Sequence, residues 1–361
     1  MTSDIAACGP AILNILTTAS SFLSNLVAPR STTTPGRSDH PYSIADHRTA
    51  LSTAWHLAND QINAIPFHLV ENRWLRLYTD VSIMHSALDL ATTSSGTFPA
   101  QTFWLNAIRR LDMAIIVAGA LGHDRAEWIQ LLIGEIQRKG LPRRRSPRHH
   151  RSPDRHVKKR KTSVSQPSDI NDELKFAPSP IVNLASTLSV SDYLRDHRDR
   201  PFILRQYLHS SDSPCPPWPA IERWRSPDYL LDLVGEGRVV PVEVGSAYDD
   251  VGWGQGIIPF RNFLARAGYD LTPENEEPPG TELSPLYLAQ HPLLSQFPGL
   301  ERDISLPDFV WSNPPPTDAI PSYRPPETKD GIVINVWVGS GRKEIVSPAH
   351  TVSLHEMALA L

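Results

Sequence analysis

The apolar positions of the chain repeat with one period in its first part and another in its second. From residue 43 to about residue 138 they recur at helical spacing. Ile44, Leu51, Trp55, Ala58 and Ile62 mark one predicted helix over 43–63, and Leu69, Val70, Trp74, Leu77, Val81, Met84 and Leu88 mark the next over 67–90. Trp104, Leu105, Ile108, Leu111 and Ile115 predict a third over 102–120. Trp128, Leu131, Leu132 and Ile136 predict a fourth, with Asp124 as its expected cap. Beyond residue 181 the runs become short and β-branched. Strands are expected at 200–205, 239–245 and 332–338, with helices at 188–194 (capped by Ser191), 227–234 and 259–268 between them, and 303–309 extended. The run Ile332-Val333-Ile334-Asn335-Val336-Trp337-Val338 has no helix former and predicts a strand buried on both faces. The sum is an α + β chain: an all-helical domain over 42–138, then a mainly β domain.

Between these parts the pattern vanishes. Residues 139–161, KGLPRRRSPRHHRSPDRHVKKRK, hold almost nothing apolar and cannot build a core, so 139–180 is expected to be a disordered linker. Arg143-Arg144-Arg145 and Lys158-Lys159-Arg160-Lys161 flank a spacer of about a dozen residues, the arrangement of a bipartite nuclear-localisation signal. The implied partner is a nuclear import carrier with acidic grooves, and the same charge supports weak nucleic-acid contact. The expected compartment is the nucleus, otherwise the cytoplasm. At the other end of the helical part, residues 1–41 are expected to be a poorly ordered leader and linker. Within them 8–27 reads as an amphipathic helix or a loosely ordered leader; Asp4 and the lack of positive charge speak against a signal peptide, and Asn14 and Asn25 against a membrane span.

Composition changes this picture little. The formal net charge of −4 averages over very unequal segments, and 34 prolines lead us to expect long loops. Cys8 and Cys215 are too far apart to suggest a disulfide framework or a metal-ligand spacing. His56, His68 and His85 read as solvated or packed side chains rather than ligands. His350, after Ser347-Pro348-Ala349, sits past a Gly-Ser-Gly turn where a ring nitrogen can face a metal; on spacing alone it is a strand-end histidine that meets water.

The second part of the chain resembles the JmjC-domain family of Fe(II)- and 2-oxoglutarate-dependent oxygenases. The pieces, in order, are RPFILR (200–205), WPAIERW (218–224), VPVEVGSAY (240–248), WGQ (253–255), YLAQH (287–291), DISLPD (303–308) and the stretch from Asn335 through Trp337, Gly339, Ser347 and Pro348 to His350. The subgroup it is most like carries a helical N-terminal domain and is named lysine demethylase or protein arginyl hydroxylase; RWLRLYTD (73–80) and LDM (111–113) are similar in that helical part. The resemblance implies a cupin-like jelly roll over 181–350. It also implies Tyr248, Trp337 and Ser347 as residues lining the 2-oxoglutarate pocket, and His350 as the first iron ligand of a 2-His-1-carboxylate triad. A protein substrate, a histone or another Arg- or Lys-containing protein, is the implied partner.

The match breaks after His350. Val352 stands where the family has its acid, and residues 351–361 have no counterpart in the pattern. His355 and Glu356 lie at a different offset. Two expectations follow: a jelly roll cut off before it closes, and a metal site too incomplete for turnover, with no catalytic side chain assigned. An unspliced intron or frame shift would produce such a break, and the transcript across the junction would reveal it. The alternative reading is a non-catalytic nuclear interaction module with a degenerate cupin domain.

Overall fold

The computed structural model describes residues 3–27, 42–93, 100–141, 181–184, 187–197, 201–209, 215–245, 252–271, 286–311 and 332–339. They fall into two compact units. One joins the described residues up to 141 with 231–298 and 335–339; the other holds 181–230, 299–311 and 332–334. These units cut across the divisions read along the sequence, because a sheet from the second part is packed on the helices of the first.

The first unit begins with α1 (Ser3–Ala6) and α2 (Pro10–Val27). Pro10 occupies the first helical position, where its missing N–H is no loss. Ile12, Leu16, Ala19 and Phe22 follow at spacings of four and three and are buried, with Ile5, in the helical core. Residues 1–41 therefore include the amphipathic helix that the sequence allowed, and that helix is part of the core rather than a loose leader. The basic linker from residue 142 to 180 lies outside the described residues.

Next come α3 (Ile44–Asn63), α4 (Asn72–Thr92), α5 (Gln101–Ala118) and α6 (Arg125–Gly140). Ser43 and Asp46 close a capping box at the start of α3: the Ser43 Oγ accepts from the Asp46 N–H at 3.2 Å, and the Asp46 carboxylate accepts from the Ser43 N–H at 2.8 Å. α5 stops at Gly119, whose φ of 60° lets its N–H reach back to the Ile115 carbonyl at 2.9 Å. Asp124 stands at the N-cap of α6, as expected, but makes no capping bond with its side chain. It adopts a left-handed φ of 58° and its carboxylate meets the His123 ring at 2.6 Å instead. The helix predicted over 67–90 starts only at Asn72, because Pro66 leads into a single tight turn at Phe67–Leu69.

α4 is the central rod. Leu77, Tyr78, Val81 and Leu88 are at most 1% exposed, and burial pushes the Tyr78 phenol up to about 12. Its buried acids are each matched by cations: Asp80 by Arg76 and Arg125, Asp89 by Arg48 and Arg110.

The same unit carries a four-stranded antiparallel sheet of β3 (Val239–Val244), β4 (Gly254–Pro259), β5 (Leu286–His291) and β6 (Val336–Gly339), in the order β4-β3-β5-β6. Strands β1 (Val182–Leu184) and β2 (Phe202–Leu204) belong to the second unit, where they pair in parallel. That unit also contains α7 (Val190–Asp192), α8 (Ala220–Arg223) and the first half of α9 (Pro227–Val234). The cap of α7 is Ser189, whose Oγ accepts from the Asp192 N–H at 3.0 Å, not the expected Ser191. Tyr193, Tyr207, Trp218, Ile221 and Phe309 form its small core. Asp303, fully buried, accepts from Arg223 at 2.7 Å, Trp224 Nε1 at 2.9 Å and the Tyr229 hydroxyl at 2.7 Å. Burial alone would raise this carboxyl; the three donors outweigh it and hold it below its ordinary range. The stretch expected to be extended, 303–309, is instead bracketed by tight helical turns at Pro298–Asp303 and Asp308–Trp311.

One strand expectation fails. The run 332–338 forms a strand only from Val336, and it is not buried on both faces: Val333 is 53% and Trp337 46% exposed. The cause is position. β6 pairs only with β5 and forms an edge of the described sheet, so its side chains alternate between a covered and an open side.

Candidate functional site

Side chains directly opposed in an antiparallel ladder share a face. Glu243 opposes both Gln255 and Tyr287, Tyr287 opposes Gly339, and Trp337 stands two residues before Gly339. Gln255, Glu243, Tyr287 and Trp337 therefore line one face across all four strands. They are half-buried or exposed. The Tyr287 phenol is pushed up, by burial first and by the Glu243 carboxylate second, which places that negative charge within reach of the ring.

The opposite face is sealed. Val240, Val242, Leu286 and Leu288 are at most 3% exposed. α5 packs along β3 here, and Gly237, at the turn into β3, shows how closely. Its φ of +82° suits glycine, and a Cβ there would meet the Leu105 side chain at 2.8 Å.

A buried polar network joins the helices to this sheet. Asp112 on α5 receives Arg238 through Nε at 2.9 Å and Nη2 at 2.7 Å, and the Val239 N–H at 2.9 Å. Gln296, on α10 (Leu293–Gln296), donates through Nε2 to Asp112 at 2.9 Å and to the Val239 carbonyl at 2.8 Å. Those two acceptors orient the amide, so its Oε1 is the end that meets His291 Nε2, 2.6 Å away. The ring nitrogen at that contact must therefore carry the proton. Asp112 and Gln296 are 0% exposed, Arg238 and His291 5%. Burial pushes the His291 imidazole below its ordinary value, against the opposing pull of Gln296 and Asp112, which keeps it neutral near pH 7. Arg238 also lies over the Phe297 ring, 4.7 Å from its centre.

Of the residues the sequence singled out, Trp337 is on the open face of β6. Tyr248, Ser347 and His350 lie outside the described residues, as does Val352, so of the expected set the structure describes Trp337 alone. Among the described residues no three His, Cys, Asp or Glu side chains converge as a metal site. Those residues provide no ligand set for Fe(II). Among the described residues, too, no helix is long and apolar enough to cross a membrane.

No family profile matches the chain. It is 33% identical over 153 residues to Jumonji C domain-containing protein 5 of Drosophila melanogaster, covering 38% of this chain and 35% of that protein. It is 28% identical over 316 residues to Lysine-specific demethylase 8 of Danio rerio, covering 86% of this chain and 65% of the relative. The match to Lysine-specific demethylase JMJ30 of Arabidopsis thaliana is 26% over 281 residues, 74% of this chain and 60% of the relative. The chain is similar to proteins of the JmjC-domain family. It spans between about a third and two thirds of the length of these JmjC relatives. The Danio rerio match covers 86% of the chain, too much to be confined to either the helical or the strand-bearing part.

Sequence reasoning passed over Glu243, Tyr287 and the buried network. Strict alternation was the available signal for the first two: Val240 and Val242 against Glu243, Leu286 and Leu288 against Tyr287. For the network it was Asp112, an acid set among the apolar positions of its helix, which needs a buried partner.

Proposed function

We propose that this chain carries the substrate-facing side of a JmjC-type oxygenase: a protein hydroxylase or lysine demethylase that takes a cationic side chain, Arg or Lys, of a histone or another protein. One observation carries this reading. A carboxylate, Glu243, and two aromatic rings, Tyr287 and Trp337, share the open face of a sheet whose other face is sealed. A carboxylate attracts a cation, and aromatic faces hold one by its charge or its methyl groups. The demethylase names of the relatives agree with such a substrate.

In this reading Fe(II) and 2-oxoglutarate are the cofactors, and when bound they supply the oxidising chemistry. Trp337 borders the 2-oxoglutarate pocket, with Tyr248, Ser347 and His350 assigned beside it from the family resemblance alone. The chain's own work at the described face is to hold the substrate cation and to keep water from its aromatic walls. The basic run at 139–161 makes the nucleus the expected compartment, and a reporter fused to that run would test it by accumulating there.

The test titrates the purified chain with histone peptides carrying Arg or methylated Lys and follows binding by calorimetry. The expected result is saturable binding that needs the cationic side chain, weakened roughly tenfold in E243Q. Binding that is absent, or unchanged in E243Q, would overturn the proposal.

A further inference from the structure

The pairing of β5 with β6 is irregular at one point. Leu288 opposes Val338, but the next recorded pair is His291 with Val336. Ala289 and Gln290 together thus oppose the single residue Trp337, a β-bulge next to the open-face tryptophan. The extra residue is Gln290. It is exposed and left-handed, with φ of 47°. Residues with a Cβ hold that conformation where the surroundings over-determine it.

Alternation shows what determines it. Without the bulge, His291 would fall on the open face and Gln290 on the sealed one. With it, His291 turns into the sealed face and reaches Gln296, whose amide is already committed to Asp112 and Val239. Asp112 in turn is held by Arg238.

We propose that the buried Asp112–Arg238–Gln296–His291 network is a positioning device: by holding His291 on the sealed face it sets the bulge opposite Trp337, and so fixes how Trp337 and Tyr287 are presented on the open face. These are positioning residues, which act through the register of two strands. The helices contribute directly, since Asp112 belongs to α5. The bearing of this device on catalysis rests on the function proposed above; the register it sets does not.

The experiment labels the full chain with 5-fluorotryptophan and follows Trp337 by fluorine NMR, its line among those of nine tryptophans assigned by its loss in W337F. H291L, which removes the donor, should shift or split the Trp337 line. H291Q, which restores an N–H donor, should return it to the wild-type position. L88A, a cavity in α4 away from the network, should lower stability and leave the line in place. Q290V keeps the test decisive if H291L does not fold. A β-branched residue resists the left-handed conformation, so if the network sets the register the line stays put while stability falls. A line unmoved in H291L, or moved in Q290V, would overturn the proposal. A line that responds as expected in a chain that binds no cationic peptide would sink the proposed function and leave this inference standing.

Discussion

The two faces of the four-stranded sheet are built from the same strands and serve opposite ends. The sealed face stacks Val240, Val242, Leu286 and Leu288 under the helices and accepts polar groups only where each has a partner. The open face sets Glu243, Tyr287 and Trp337 side by side, the first two half-buried and the third exposed. On the function proposed above, the two-residue period of a strand separates stability from recognition. It also makes the contrast breakable from either side.

The largest effect is expected from D112A. It strands the Arg238 guanidinium in the interior and leaves the Val239 N–H and the Gln296 amide short of an acceptor, for a loss of about 3–5 kcal/mol in urea denaturation. A loss below about 1 kcal/mol would mean that the network contributes little. L288A, a cavity on the sealed face, should cost about 2–5 kcal/mol by the same measurement.

A smaller effect is expected from pH. The folded His291 has its proton affinity lowered below the ordinary value of 6.5. Between that lowered value and 6.5 the unfolded chain takes up a proton that the folded chain refuses. Its contribution is therefore intact above about pH 6.5 and is lost as pH falls through that value. His85, pushed down to about 4 by burial, adds a slope of the same sign. The diagnostic is thus the difference between wild type and H291Q: the urea midpoint of wild type should fall more steeply from pH 7 to pH 5.

The smallest stability effects belong to the open face. E243Q and W337F should change the unfolding free energy by about 0.5 kcal/mol or less, as surface substitutions do. If E243Q instead destabilised the fold as severely as L288A, the division of labour between the faces would be wrong.

Much of this architecture was legible in the residues. The helices α3, α5 and α6 follow their apolar stripes to within a few positions, because each buries a single face and its stripe has the helical period. Strand β3 was legible for a similar reason: Val239, Val240 and Val242 leave little room for another reading. The edge position of β6 was not, because a β-branched run looks the same whether one neighbour covers it or two. Trp337 was identified by resemblance, whereas Glu243 beside Tyr287 emerged only from the ladder register.

The amino-acid sequence by itself determined the periods, and with them the helical part, the short strands, the basic run and the JmjC resemblance, because these depend on residues close together along the chain. Tertiary structure alone decided which face of the sheet is sealed, that Asp112 and Arg238 meet across 126 positions, and that a bulge turns His291 inward. Those outcomes depend on long-range pairing. A shift of one residue in register exchanges the two faces of a strand, and nothing within the strand itself records which register its neighbours will impose.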